Sequence, residues 1–168
     1  MNTIKGNKMD KHEAYMLEKA KEAYGKYERG EYFEKARAII VNDGKVAFIR
    51  NLKTEKITIP GGGVDEGETI AEAAEREAFE ETGLVVAPIT VLGENHYTVD
   101  MEFEGKAFPS KRVEYFYLCS LIEKDEGHSG LEGEYEEGIE IFFDTPDTLK
   151  KCNVSDEIIA KIKNEFTL

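Results

Sequence analysis

At 168 residues the chain has the length of one domain able to bury its own core, and is short for two. Thirty-five acidic against 22 basic residues leave a formal net charge of −13 with no local basic run to offset it, which argues against a nucleic-acid partner. Cys119 and Cys152 form no Cys-x-x-Cys pair, residues 1–11 lack the apolar core of a signal peptide, and no stretch approaches the roughly 18 apolar residues of a membrane span. A reduced, soluble, cytoplasmic protein without zinc or membrane contact is therefore expected.

Residues 9–29 space Leu17, Ala20, Tyr24 and Tyr27 at helical intervals and end at Gly30, which predicts an amphipathic N-terminal helix. The period then shortens. Residues 36–41 and 46–49 are β-favouring runs around Asn42-Asp43-Gly44-Lys45, a hairpin signal. Residues 57–59 read as a short strand entering Pro60 and Gly61-Gly62-Gly63, expected to leave the sheet in a tight turn that can bring backbone close to a ligand. A helix follows: Thr69 and Glu72 have capping-box spacing, alanines favour the interior, and Gly83 marks the stop. Residues 84–92, 96–103, 112–122 and 139–143 are predicted strands. The third is apolar on both faces except at Glu114 and Ser120, as in a central strand. Acidic, glycine-bearing loops are expected at 102–110 and 123–138, a short helix from Thr145-Pro146, and a last helix capped by Ser155 that buries Ile158, Ile159 and Ile162. This order predicts an α/β (α+β) sandwich with a mixed sheet plus a helix at each end, divided into a helical extension at 1–34 and a main domain at 35–168.

The chemistry concentrates between Gly62 and Leu84. On a helix turning about 100° per residue, Glu77, Glu80 and Glu81 share one face, and each like-charge pair costs about 0.2–0.5 kcal/mol. A hard divalent cation compensates such a face, and the absence of His and Cys from it favours Mg²⁺ or Mn²⁺ over zinc. Arg76, four residues from both Glu72 and Glu80, is placed to orient carboxylates.

The segment resembles the Nudix box, G-x₅-E-x₇-R-E-U-x-E-E-x-G-U with U a bulky aliphatic residue. Gly62, Glu68, Arg76, Glu77, Glu80, Glu81 and Gly83 match every fixed letter, and Leu84 the last aliphatic one; Ala78 is smaller than usual at the first, which should weaken local packing. The resemblance implies an α/β/α sandwich and hydrolysis of a diphosphate linkage in a nucleoside diphosphate joined to another moiety, by water attack at phosphorus. It implies metal ligation by Glu77, Glu80, Glu81 and the Gly61 carbonyl, with Glu77 assisting proton removal. Gly62 is a candidate for substrate contact. So is Glu137, which with Glu134 and Glu136 lies on a Gly-flanked loop and is an alternative proton acceptor.

Other residues have plainer readings. Glu68 is equally a water-mediated ligand or a helix-start carboxylate. His12 and His128 read as surface residues, and His96 more as structural than as a cleft residue. Tyr115, Phe116 and Tyr117 read as core, although one of them can line a pocket. The partner implied is a small nucleotide-like diphosphate, and a homodimer is compatible with the sequence. Motifs that would name the substrate are absent: Thr98 and Val99 stand where ADP-ribose hydrolases carry proline. The rival functions are a Nudix-fold nucleotide sensor without turnover, which would not require every box carboxylate, and an acidic interaction protein.

Overall fold

The computed structural model describes residues 9–125 and 138–165. In chain order these form helix α1 (Lys11–Glu28), strands β1 (Phe33–Asn42), β2 (Lys45–Asn51), β3 (Ile57–Thr58) and β4 (Gly61–Gly63), and helix α2 (Ile70–Thr82). Strands β5 (Leu84–Phe103), β6 (Lys106–Lys124) and β7 (Ile139–Asp144), a 3₁₀ helix (Pro146–Cys152) and α3 (Asp156–Glu165) complete them. Among the described residues the seven strands make one mixed sheet of order β3-β2-β1-β6-β5, with β4 against β1 and β7 against β2. None of the described helices is long and apolar enough to cross a membrane.

Three expectations are corrected. Residues 61–63 do not leave the sheet: Gly61, Gly62 and Gly63 pair antiparallel with Arg37, Ala36 and Lys35. Glycine removes side chains without removing the backbone donors and acceptors of a ladder. The strands expected at 84–92 and 96–103 are one strand; Gly93 does not break it but marks a close approach, since a Cβ there would stand 3.0 Å from the Ile158 side chain. The loop expected at 102–110 shrinks to Glu104-Gly105, whose φ values of 51° and 76° suit a two-residue hairpin turn, as do 56° and 75° at Asp43-Gly44.

The described residues fall into two compact units. The first comprises residues up to Phe33 together with His96–Arg112. Its core is Ala23, Phe33 and Phe108, joined by Tyr24, Met101 and Phe103. Tyr24 meets Phe108 edge-on at 5.2 Å, and the Arg112 guanidinium lies 4.6 Å from the centre of the Phe33 ring.

The second unit, Glu34–Asn95 with the described residues from Val113 onward, is a sheet covered on both faces. Strand alternation sorts its residues. Ile39, Val41, Val46, Phe48, Phe116 and Leu118 pack with Leu149, Val154, Ile158, Ile159 and Ile162 from the 3₁₀ helix through α3. Ala36, Ala38, Ile40, Ala47 and Cys119 pack with Ala73, Ala74 and Ala78 of α2. Ala78 is fully buried, so its missing bulk is matched by the alanines of β1 and β2, which let helix and sheet approach closely. β6 supplies Leu118 to one cluster and Cys119 to the other, as its two apolar faces predict.

β1 changes partner along one edge. Near its C-terminal end Val41 and Asn42 face Val46 and Lys45, while Lys35 to Arg37 face β4 and the Ala38 N–H donates to Pro60 O. Even-numbered backbone groups of β1 point to this edge in both stretches, so β2 and β4 share it and the sheet splits between them. That split brings β4 to α2.

Candidate active site

Helix α2 starts and stops as its sequence dictates. The Thr69 side chain accepts from Glu72 N–H and the Glu72 carboxylate from Thr69 N–H; Gly83 closes the other end in the left-handed conformation, donating to Phe79 O. Its apolar stripe, Ala73, Ala74 and Ala78, faces the sheet. Arg76, Glu77, Glu80 and Glu81 are thereby aimed along the flank toward β4.

Arg76 is the hub. Its Nε and Nη2 reach Glu68 Oε2 and Oε1 at 2.8 and 2.9 Å, a bidentate pair. Nη1 reaches Glu77 Oε1 at 2.8 Å and Glu80 Oε2 at 3.3 Å, and Nη2 also donates to Gly63 O at 3.0 Å. The expected pairing with Glu80 is present. Glu72 instead serves the helix cap, and Glu68 takes its place. Glu68 also accepts from Asp65 N–H at 2.9 Å, which makes it a fixed strut of the loop. Hydrogen bonds from Arg76 hold the Glu68 carboxyl below its ordinary range against the opposing effect of burial, and the same contact raises the guanidinium further. The like-charge cost of this face is thus offset internally.

The glycines answer the helix. Gly61 N–H donates to Glu81 Oε2 at 3.0 Å. A Cβ on Gly62 would stand 2.6 Å from Glu77 Oε1 and 2.7 Å from its Cδ, so the bare backbone makes room for that carboxylate. A Cβ on Gly61 would strike Ala36 O and the Arg37 side chain, each at 2.5 Å. Gly61, Gly62, Arg76, Glu77, Glu80 and Glu81 are therefore brought together; Glu134, Glu136, Glu137 and His128 lie outside the described residues.

Glu77, Glu80, Glu81 and the Gly61 carbonyl offer only oxygen donors, the chemistry of a hard divalent cation. Among the described residues, no three acidic, His or Cys side chains are gathered about one point as placed; Glu77 and Glu80 engage Arg76, and Glu81 engages Gly61. The fit is one of donor type and of a shared helix face.

The opposite face of β1 carries features that the sequence reading missed. Arg37, cross-strand from Gly61, donates through Nε to Glu114 Oε2 at 2.8 Å and through Nη1 to Ile59 O at 3.0 Å. Each is an isolated charge within a β-favouring run, and that coincidence was the available signal. A cleft of about 440 Å³ lies against Glu94, Asn95, Phe116, Asn153, Ser155 and Ile158. Phe116 is the member of the aromatic trio that lines it. Tyr115 reaches Glu34 at 3.4 Å, and Tyr117 packs on the α2 side. His96 sits edge-on to Tyr32 at 5.4 Å in the first unit.

The family pattern described as NUDIX domain matches residues 32–162. No curated protein matches the chain by sequence. Among solved structures it is similar to a NUDIX hydrolase from Nitrosomonas europaea, at 20% identity over 79% of this chain and 87% of that one, with a TM-score of 0.57. An ADP-ribose pyrophosphatase from Streptococcus suis 89-1591 gives 19%, 79%, 93% and 0.54 for the same measures. A UDP-X diphosphatase gives 18%, 89%, 75% and 0.52. At these identities the likeness establishes the fold, an α/β/α sandwich. With the domain match spanning most of the chain and a complete box on α2 and β4, the chain belongs to the Nudix hydrolase family.

Proposed function

We propose that the chain hydrolyses a diphosphate linkage in a nucleoside diphosphate joined to a second moiety, with Mg²⁺ or Mn²⁺ as cofactor. The observation that carries this reading is the set Glu77, Glu80 and Glu81 on one face of α2, against a glycine strand that yields space to Glu77 and an N–H to Glu81. A divalent cation held by these carboxylates and the Gly61 carbonyl would supply charge neutralisation at the phosphoryl oxygens. Arg76 orients Glu77 and Glu80, and Glu77 takes the proton from the attacking water. The cleft of about 440 Å³ falls within the 300–1,000 Å³ usual for small-molecule sites and takes the nucleoside or its linked group. The similar UDP-X diphosphatase and ADP-ribose pyrophosphatase support a substrate of this class.

A screen of nucleotide sugars, ADP-ribose, dinucleoside polyphosphates and nucleoside triphosphates, with coupled phosphate detection, tests the reading. Metal-dependent turnover of at least one is expected, reduced by orders of magnitude in Glu81→Gln while the fold persists. Full activity in excess chelator, or in a folded Glu81→Gln protein, defeats it. Nucleotide binding without turnover of any substrate would favour a sensor.

A further inference from the structure

Across β4 from the box lies a second, smaller cleft of about 90 Å³, lined by Arg37, Thr58, Lys56, Lys151, Cys152 and Asn153. Its walls come from β1 through Arg37, from β3 and the residues flanking it, and from the end of the 3₁₀ helix. In a chain of net charge −13, three cationic side chains meet here. Glu114 balances one of them through Arg37 Nε, and Asp144 lies within electrostatic reach of Lys151. Neither Lys56 nor Lys151 has an ion-pair partner among the described residues, and both are exposed. The positive charge is convergent: Arg37 and Lys56 both act on the Cys152 thiol, which burial nevertheless pushes up to about 11, so it stays neutral and does not cancel them.

We infer that this cleft receives a phosphoryl group which the substrate carries in addition to the diphosphate being cut, making the enzyme selective for substrates with a further phosphate. Size supports a group over a whole ligand, since about 90 Å³ is well below the 300–1,000 Å³ of small-molecule sites. Composition supports an anion over a base: the lining has no aromatic ring to stack on, but offers guanidinium, ammonium, hydroxyl and amide donors. Position ties the cleft to the reaction. The Arg37 Cδ comes within 2.5 Å of where a Gly61 Cβ would stand, and Gly61 is the residue that holds Glu81. Asn153 also lines the larger cleft, so one substrate can span both.

The inference rests on the proposed hydrolysis, and its test separates the two. Inorganic phosphate titrated in excess chelator, with amide NMR shifts as the readout, should move the Thr58 and Asn153 resonances saturably. The response should be lost in the Lys56→Gln/Lys151→Gln double variant, whose exposed positions tolerate the change. Absence of a saturable response, or its survival in the double variant, overturns the inference even if the protein proves a good hydrolase. With turnover in hand, kcat/KM is compared for a substrate pair differing by one phosphoryl group. The preference for the phosphorylated member should fall roughly tenfold in the double variant, chiefly through KM. An unchanged preference beside intact phosphate binding would assign the cleft to free phosphate and overturn the substrate role.

Discussion

Opposite charges stand on the two sides of β4, and they are held in different ways. On the α2 side, Glu68 and Glu77 are 15% and 14% exposed and tied at 2.8 Å to one guanidinium, while Glu81 is tied to backbone. On the other side only Arg37 is fixed, and Lys56 and Lys151 extend from the surface. The first arrangement pairs and restrains its carboxylates before anything binds, although among the described residues it does not gather them about one point. The second sets charge but leaves geometry adaptable, which suits holding one end of a ligand.

Removing the hub should break this contrast most severely. Arg76→Gln leaves two poorly exposed carboxylates without their cation, and urea unfolding at neutral pH should show a loss of about 1–3 kcal/mol. Millimolar Mg²⁺ should recover part of it by binding the freed carboxylates. An unmoved midpoint would mean that the clamp does not organise the face.

Adjacent glycines give a sharper comparison. Gly61→Ala drives a methyl group into the Ala36 carbonyl and the Arg37 backbone, so a stability loss of about 1–3 kcal/mol is expected in thermal melts. Gly62→Ala finds its nearest atoms all in the Glu77 carboxylate, a side-chain end that can shift where a backbone cannot. It should melt almost as the parent does yet lose roughly a hundredfold in turnover, because the carboxylate is displaced. Equal effects of the two on stability would refute the assignment of separate roles.

The smallest effect is in acid stability. Glu68 is held below the ordinary 4.5 by Arg76, so its stabilising contribution is complete above that value and is lost as pH falls through the lowered folded-state value. Stability of the parent should therefore decline below about pH 4.5 more steeply than that of Glu68→Gln, as followed by chemical unfolding across acid buffers. Parallel pH profiles would remove Glu68 from the clamp.

Local signals made much of this legible in sequence. The Asp43-Gly44 turn, the Thr69 and Glu72 cap, the Gly83 stop and the shared face of Glu77, Glu80 and Glu81 each depend on residues a few positions apart. What escaped depends on distant partners. That β4 is a strand follows from Lys35 to Arg37, far back in the chain, and Gly93 is explained only by Ile158. Arg37 and Glu114 were each visible as a charge in a strand, but their pairing across 77 positions was not. Glu68 reached Arg76 at a spacing of eight because the loop folds back, which helical periodicity does not anticipate.

The close fit of Gly62 to Glu77 bears on how such an enzyme could change over generations. A single methyl group at residue 62 presses on the carboxylate tip and on no backbone atom within its nearest contacts. Loss of chemistry here is therefore uncoupled from loss of folding, and the cleft beyond β1 would survive intact. A lineage could retire the reaction in one step and keep a folded, ligand-competent descendant. The same substitution one residue earlier would have cost it stability as well.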